Sequence, residues 1–304
     1  MNCVHKIYAS INQISAPYKG VLLDAYGVFW AGNACGLLKD AKEAMKALVN
    51  EGKIVGILSN ATQLSQKEVE KVKNKGLIQG ESFHFYITSG DVVRSIFLNK
   101  QLPFHTPRNS YYLFSGKHPK YNSHLSIFEG SDYKEVYNCE DADFIYVAVP
   151  HMGGVDQENP GVFFTEIEAL ASKKLPMVCP NPDLFAHEGN PPRAKVRQGY
   201  IAKLYEELGG SVFYVGKPYE NIFKESLNAF KSFGINDPKD ILMVGDTLET
   251  DIRGANALKI KSALTVASGI MLDRVLKEGL QNILATLPSS DIPTYLIERF
   301  VYDI

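Results

Sequence analysis

Residues 21–27 read VLLDAYG: three apolar residues, an aspartate, and a turn that reaches a glycine. The same grammar returns three times. IVGILSN (54–60) ends in serine and asparagine, VFYVGK (212–217) in lysine, and ILMVGD (241–246) in aspartate. Behind the first run, Ala41, Ala44, Met45, Leu48 and Val49 recur at helical spacing before Gly52. Behind the second, Ser65 and Glu68 have capping-box spacing, so a helix is expected to start there and to stop near Gly76. Residues 83–87 read as a third strand, and Ser89 as the cap of a helix to about Asn99. Strands and helices alternating in this way predict an α/β protein with a doubly wound parallel sheet covered on both faces.

Near residue 101 the texture changes. QLPFHTPRNS (101–110) carries two prolines and little periodicity, which suits a linker. Beyond it, 111–114, 144–149 and 177–179 read as strands and 163–173 as a helix, a smaller α/β unit. After about 211 the first rhythm resumes: a strand at 212–215, a helix bearing Ile222, Phe223, Leu227 and Phe230, a strand at 241–244, and a helix from about Asp251. The expected organisation is one core, 1–103 with 212–304, interrupted by an inserted domain, 104–211. A length of 304 residues accommodates two such units at about 150 residues each.

Composition removes several functions. Thirty-two basic against thirty-four acidic residues leave a net charge of -2, which offers no general footprint for nucleic acid or an anionic membrane. No apolar run approaches the roughly 18 residues of a membrane span, and MNCVHKIYASINQ at the N-terminus lacks the apolar core of a signal peptide. A soluble cytoplasmic protein is expected. Cys3, Cys35, Cys139 and Cys179 are widely spaced and form no CxxC pair, so neither zinc cluster nor disulfide framework is signalled. The seven histidines show no HExxH spacing; His151 is the best of them for a contact from the inserted domain. Arg193, Lys195 and Arg197 alternate with apolar residues, as a solvated basic edge or a guide for an anionic substrate.

In a parallel α/β sheet, ligands bind beyond the carboxyl ends of the strands, where loop amides and helix N-termini converge. Asp24, Ser59 with Asn60, Lys217 and Asp246 each follow an apolar run directly, so all are expected at one sheet edge. Two carboxylates supply hard oxygen ligands for Mg²⁺, a lysine offsets phosphate charge, and a serine donates a hydrogen bond. Such a site suits a divalent cation and a phosphoryl group.

Taken together, LLDAYGV (22–28), LSNAT (58–62), NPD (181–183), VGKP (215–218) and VGDTLETDI (244–252) resemble the motifs of the haloacid dehalogenase (HAD) superfamily. Their order, with an insertion between the second and fourth, is similar to subfamily IIA, the NagD-like and pyridoxal-phosphate phosphatases, over nearly the whole chain. The resemblance implies a Rossmann-like core with an inserted α/β cap of type C2. It implies a phosphatase in which Asp24 is the nucleophile, forms an aspartyl-phosphate, and binds Mg²⁺ with Asp246 and the main-chain carbonyl of Tyr26. Ser59 and Asn60 would hold phosphoryl oxygens, Lys217 would neutralise charge between nucleophile and phosphate, and Asp251 would orient a metal-bound water or Lys217. Asn181 and Asp183 would lie near the cap's inner surface. The implied substrate is a small phosphorylated metabolite such as a sugar phosphate, nucleotide or pyridoxal phosphate, and the cap would also form a homodimer contact.

One position departs from the pattern. Family phosphatases usually carry an aspartate two residues after the nucleophile as acid and base; here it is Tyr26. General acid–base catalysis is worth about 10²–10⁴-fold, so slow turnover or a restriction to good leaving groups is expected. A degenerate, ligand-binding sensor is one alternative. A 2-haloacid dehalogenase is another, since Asp24-Ala-Tyr-Gly27 also resembles that first motif and displacing halide requires no acid. Against the latter stand the retained Asp246 and Asp251 and the short interval, 25–40, before the first helix, which leaves no room for a dehalogenase's helical cap.

Overall fold

The computed structural model describes residues 6–303. Four strands come first: β1 (Ile7–Tyr8), β2 (Gly20–Leu23), β3 (Ile54–Ser59) and β4 (Phe85–Thr88). Helix Ala41–Asn50 joins β2 to β3 and buries Ala41, Ala44, Met45 and Leu48 against the sheet. Burying a side chain the size of Met45 or Leu48 contributes about 1.5–3 kcal/mol. Helix Ser65–Lys73 joins β3 to β4, and helix Ser89–Leu98 follows β4. The expected capping box at Ser65 is not formed. The box belongs instead to the next helix, where the Thr88 hydroxyl accepts from the Asp91 N–H and the Asp91 carboxylate accepts from the Thr88 N–H. The same carboxylate also accepts the Ser65 N–H, so one side chain caps two helices.

The inserted unit holds β5 (Ser110–Phe114), β6 (Lys134–Val136), β7 (Phe144–Val147), a small hairpin of β8 (His151–Met152) and β9 (Val155–Asp156), β10 (Met177–Cys179), a second hairpin of β11 (Phe185–Glu188) and β12 (Arg193–Val196), and β13 (Val212–Tyr214). Five of these form a parallel sheet in the order β13-β10-β7-β5-β6, so the cap is itself a doubly wound unit. This corrects the boundary expected at 212. Val212, Phe213 and Tyr214 pair with Met177, Val178 and Cys179, and the chain leaves the cap only after Tyr214.

The chain then adds β14 (Ile241–Gly245), β15 (Lys261–Thr265) and β16 (Tyr295–Ile297) to the first sheet. All seven strands run parallel, in the order β1-β16-β15-β14-β2-β3-β4. Core and cap share apolar surface. Phe97 of the core helix Ser89–Leu98 stacks on Phe128 of the cap with ring centroids 4.5 Å apart, and Phe128 stacks in turn on Tyr111 at 3.8 Å. Among the described residues, no helix is long and apolar enough to cross a membrane. Cys35, Cys139 and Cys179 are free thiols; Cys3 and the start of the N-terminal stretch lie outside the described residues.

Candidate active site

Strands β14, β2 and β3 lie side by side, with β2 in the middle. The chain leaves β2 toward β3 on one side and returns on the other at β14, so the loops diverge and open a crevice there. Asp24, Ser59 and Asp246 stand at these three strand ends. The Asp24 N–H donates to the Val244 carbonyl at 2.9 Å, which locks the first and last motifs together. Lys217 arrives differently from the expectation. It follows the cap strand β13 rather than a core strand, and the Lys217 N–H donates to Asn60 Oδ1 at 2.7 Å. Asn60 Nδ2 donates to the Lys217 carbonyl and to Asp183 Oδ1. The Asn60 amide is therefore spent on joining core to cap, and its side chain has no donor left for a phosphoryl oxygen.

Lys217 is 1% exposed, and its Nζ touches Asp24 Oδ1 and lies 2.7 Å from Asp251 Oδ1. The second contact is one of charge, because it lacks the alignment of a hydrogen bond. Asp251 Oδ2 accepts the N–H groups of Asp246 and Thr247, both at 3.1 Å, so Asp251 shapes the loop that carries Asp246. A widened turn, Leu248–Ile252, brings it there. Asp246 accepts from the Thr247 hydroxyl and from the Ile270 N–H. Gly27 (φ 82°) and Gly269 (φ 61°) pack behind it, and a Cβ on either would fall 2.1 or 1.8 Å from Asp246 Oδ2. These two positions require glycine on both steric and backbone grounds.

Burial sets the electrostatics. It drives the Asp24 carboxyl well above its ordinary value; Lys217 opposes this, while Asp251 and Asp246 reinforce it. Burial, then repulsion from Asp251, pushes Asp246 up to about 7 against the pull of the Ile270 N–H and the Thr247 hydroxyl. Burial alone would lower the Lys217 ammonium, but Asp24, Asp251 and Asp183 outweigh it and hold the lysine charged. One ammonium faces three buried carboxylates whose oxygens come within 4.8 Å of one another. That excess of hard, negative oxygen fits a divalent cation. The turn at Tyr26 fits it too. The Ala25 carbonyl accepts the N–H groups of Val28, Phe29 and Trp30, and the Gly27 carbonyl accepts the Ser268 hydroxyl. Among the described residues nothing donates to the Tyr26 carbonyl between them, which leaves it available as a ligand.

The Tyr26 phenol turns toward the cap. It donates to Asn33 Oδ1 at 3.2 Å, and Asn33 Nδ2 donates to Glu188 Oε1 at 2.9 Å. Burial raises the phenol further above its ordinary value, so it is no base at neutral pH. Ser59, Asn181 and Asp183 line the same cavity of about 350 Å³. Asn181 Oδ1 accepts the Asp183 N–H, and burial, offset by Lys217 and Asn60, lifts Asp183 to about 6. His151 plays no part here: its Nδ1 accepts the Gly154 N–H within the cap. Arg193 and Lys195 pair with Glu158 away from the cavity, as a solvated edge should, but Arg197 is buried and lines it. Asn33, Lys71, Lys120, Glu188 and Gln198 also line it, as does Glu68, whose sequence signal is that of a helix cap. None follows an apolar strand, so no local pattern marks them as site residues.

Residues 214–288 match the sequence model of the HAD-hydrolase-like family. No curated protein matches the chain. Among solved structures, a haloacid dehalogenase-like hydrolase from Brucella suis 1330 superposes with a TM-score of 0.77 at 22% identity, covering 97% of this chain and 100% of its own. A possible sugar phosphatase of the HAD superfamily from Cytophaga hutchinsonii gives 0.74 at 20% identity, covering 99% and 100%. NagD from E. coli K-12 gives 0.58 at 18%, covering 93% and 96%. At these identities the likeness is one of fold.

Proposed function

We propose that this chain, whose residues 214–288 match the HAD-hydrolase-like family model and whose fold is that of haloacid dehalogenase-like hydrolases, is a metal-dependent phosphatase of small phosphomonoesters. The observation that carries this reading is the burial of Asp24, Asp246 and Asp251 around Lys217 at the switch point. A metal-free halide displacement has no use for such an acidic set. The description of a structural neighbour as a possible sugar phosphatase supports the same class.

Asp24, Asp246 and the Tyr26 carbonyl would hold Mg²⁺, which when bound screens the charge of the carboxylates and of the phosphate. A carboxylate oxygen of Asp24 attacks phosphorus in line with the leaving oxygen, the P–O ester bond breaks and the alkoxide departs, taking its proton from solvent; water then hydrolyses the aspartyl-phosphate to restore the carboxylate and release inorganic phosphate. Lys217 favours the ionised form of Asp24 against its burial and compensates charge on the phosphoryl group, the Ser59 hydroxyl donates to a phosphoryl oxygen, and Asp251 holds Lys217 in place. The cap, tied down through Asn60 to Asp183 and Asn33 to Glu188, would shield the first displacement from bulk water.

Assay of phosphate released from sugar phosphates, pyridoxal phosphate and p-nitrophenyl phosphate, before and after chelation, tests the proposal. We expect metal-dependent release, and a loss of about a thousandfold or more, roughly 4 kcal/mol of barrier, in Asp24→Asn with the melting curve retained. Release that survives that substitution would refute the assigned nucleophile. The engagement of the Tyr26 phenol with Asn33 favours a second reading, a ligand-binding sensor with little turnover. Tight, metal-dependent binding without release would establish it.

A further inference from the structure

On the reading that this site cleaves a phosphomonoester, we propose that the cavity selects esters whose far end carries a second anionic group on a hydroxylated skeleton. The ester phosphate is already served at the cavity floor by Lys217 and Ser59. Four more cations line the walls. Lys67 and Lys71 lie one turn apart on the core helix Ser65–Lys73, and Lys120 and Arg197 come from the cap. Two of them are matched: Lys71 pairs with Glu68, and Arg197 lies 3.6 Å from Glu188. Lys67 and Lys120 have no acidic partner among the described residues; Lys67 donates only to the Ser126 hydroxyl. With Asp183 also on the lining, the wall carries one positive charge in excess, on a protein whose net charge is -2. This surplus is local, so it is not inherited from a basic chain.

The fixed element is Arg197. Its Nη1 donates to the Val196 carbonyl at 3.0 Å, which aims the guanidinium, and a planar fork suits a carboxylate or a phosphate. Its neighbour Gln198 is 1% exposed, lines the cavity, and has an Oε1 that accepts no hydrogen bond. Gln63 Oε1, across the cavity on the core side, is likewise without a donor. The hydroxyl groups of a ligand in the cavity would satisfy these two acceptors. The anion subsite draws on both lobes, so it is complete only with the cap closed. A substrate that fills it helps to hold the cap down.

The rival account is that the basic wall draws in any phosphate ester by long-range attraction. Matched pairs separate the two: glycerol 3-phosphate against 3-phosphoglycerate, and fructose 6-phosphate against fructose 1,6-bisphosphate. We expect kcat/KM to favour the second member of at least one pair by about tenfold, and Lys120→Ala and Arg197→Gln to bring that ratio close to one through KM. The pair with the larger ratio identifies the second group as carboxylate or phosphate. A wild-type ratio near one, or variants that weaken both members equally, overturns the inference. Calorimetric binding of the same four compounds to Asp24→Asn reads the ratio without turnover. If nothing is cleaved but the binding preference persists, the phosphatase reading fails and this one holds; cleavage without preference does the reverse. Lys120 is exposed, so its variant is expected to fold, which its melting curve checks.

Discussion

Tyr26 shows how one residue can fall inside a motif and leave its role. Its backbone serves the core, in a turn whose neighbouring carbonyls are all engaged, while its side chain reaches through Asn33 to the cap. Lys71 sits 5.4 Å from the centre of its ring and 4.9 Å from that of Trp30, which adds a cation–π attachment on the same side. The position that the family pattern gives to the acid holds this phenol instead. Tyr26→Asp is therefore expected to raise turnover of esters with poor leaving groups by about tenfold or more, less whatever the lost Asn33 contact costs in cap closure. Tyr26→Phe, which breaks that contact without supplying an acid, is the control and is expected to raise KM without raising kcat. A fall in kcat for Tyr26→Asp would mean that another group already delivers the proton.

At the level of elements, the helices meet at shared caps. The Asp91 carboxylate accepts the Thr88 N–H and the Ser65 N–H, so the starts of two consecutive helices depend on it. A single cap is worth about 0.5–2 kcal/mol; Asp91→Ala is expected to cost about 2 kcal/mol in denaturant unfolding, toward the upper end because two helix starts are left open. Asp91→Asn, which keeps an acceptor oxygen, should recover about half. Equal losses in both variants would show that the charge, rather than the acceptors, matters. The consequence reaches the site, because the helix that begins at Ser65 carries Lys67, Glu68 and Lys71 along the cavity wall.

For the whole molecule, the cap is the acid-sensitive half. Burial lowers His84, His118, His124 and His151 below the ordinary 6.5, and the last three belong to the cap. In three of them the fold uses Nδ1 as an acceptor: His84 for the Val55 N–H, His118 for those of Lys120 and Tyr121, His151 for that of Gly154. Below about pH 6.5 the unfolded chain takes up protons that the folded one refuses, so this contribution to stability is complete above that pH and drains away as the pH falls. Hydrogen exchange at pH 5.5 and 7.5 is expected to show cap strands opening before core strands at the lower pH. Uniform protection at both would sink this prediction. Since Lys120 and Tyr121 line the cavity, substrate affinity should fall in step.

The sequence by itself determined the alternation of strands and helices, and with it Asp24, Ser59 and Asp246 at three strand ends. Each is legible because it directly follows an apolar run, a signal confined to six or seven residues. Pairing was not legible in the same way. Residues 212–214 read as a strand, but nothing local says that Val212 pairs with Met177 of the cap, so the boundary was misplaced. Asn33 and Glu188 lie 155 positions apart and meet only because a core loop and a cap hairpin close on each other. Arg193, Lys195 and Arg197 form one alternating basic row, yet Arg197 alone turns inward, since β12 ends at Val196 and the chain there enters a helix. Periodicity records how an element buries its own face. Which elements then meet is decided by the summed burial and hydrogen bonding of distant surfaces, and that is where the walls of this cavity were made.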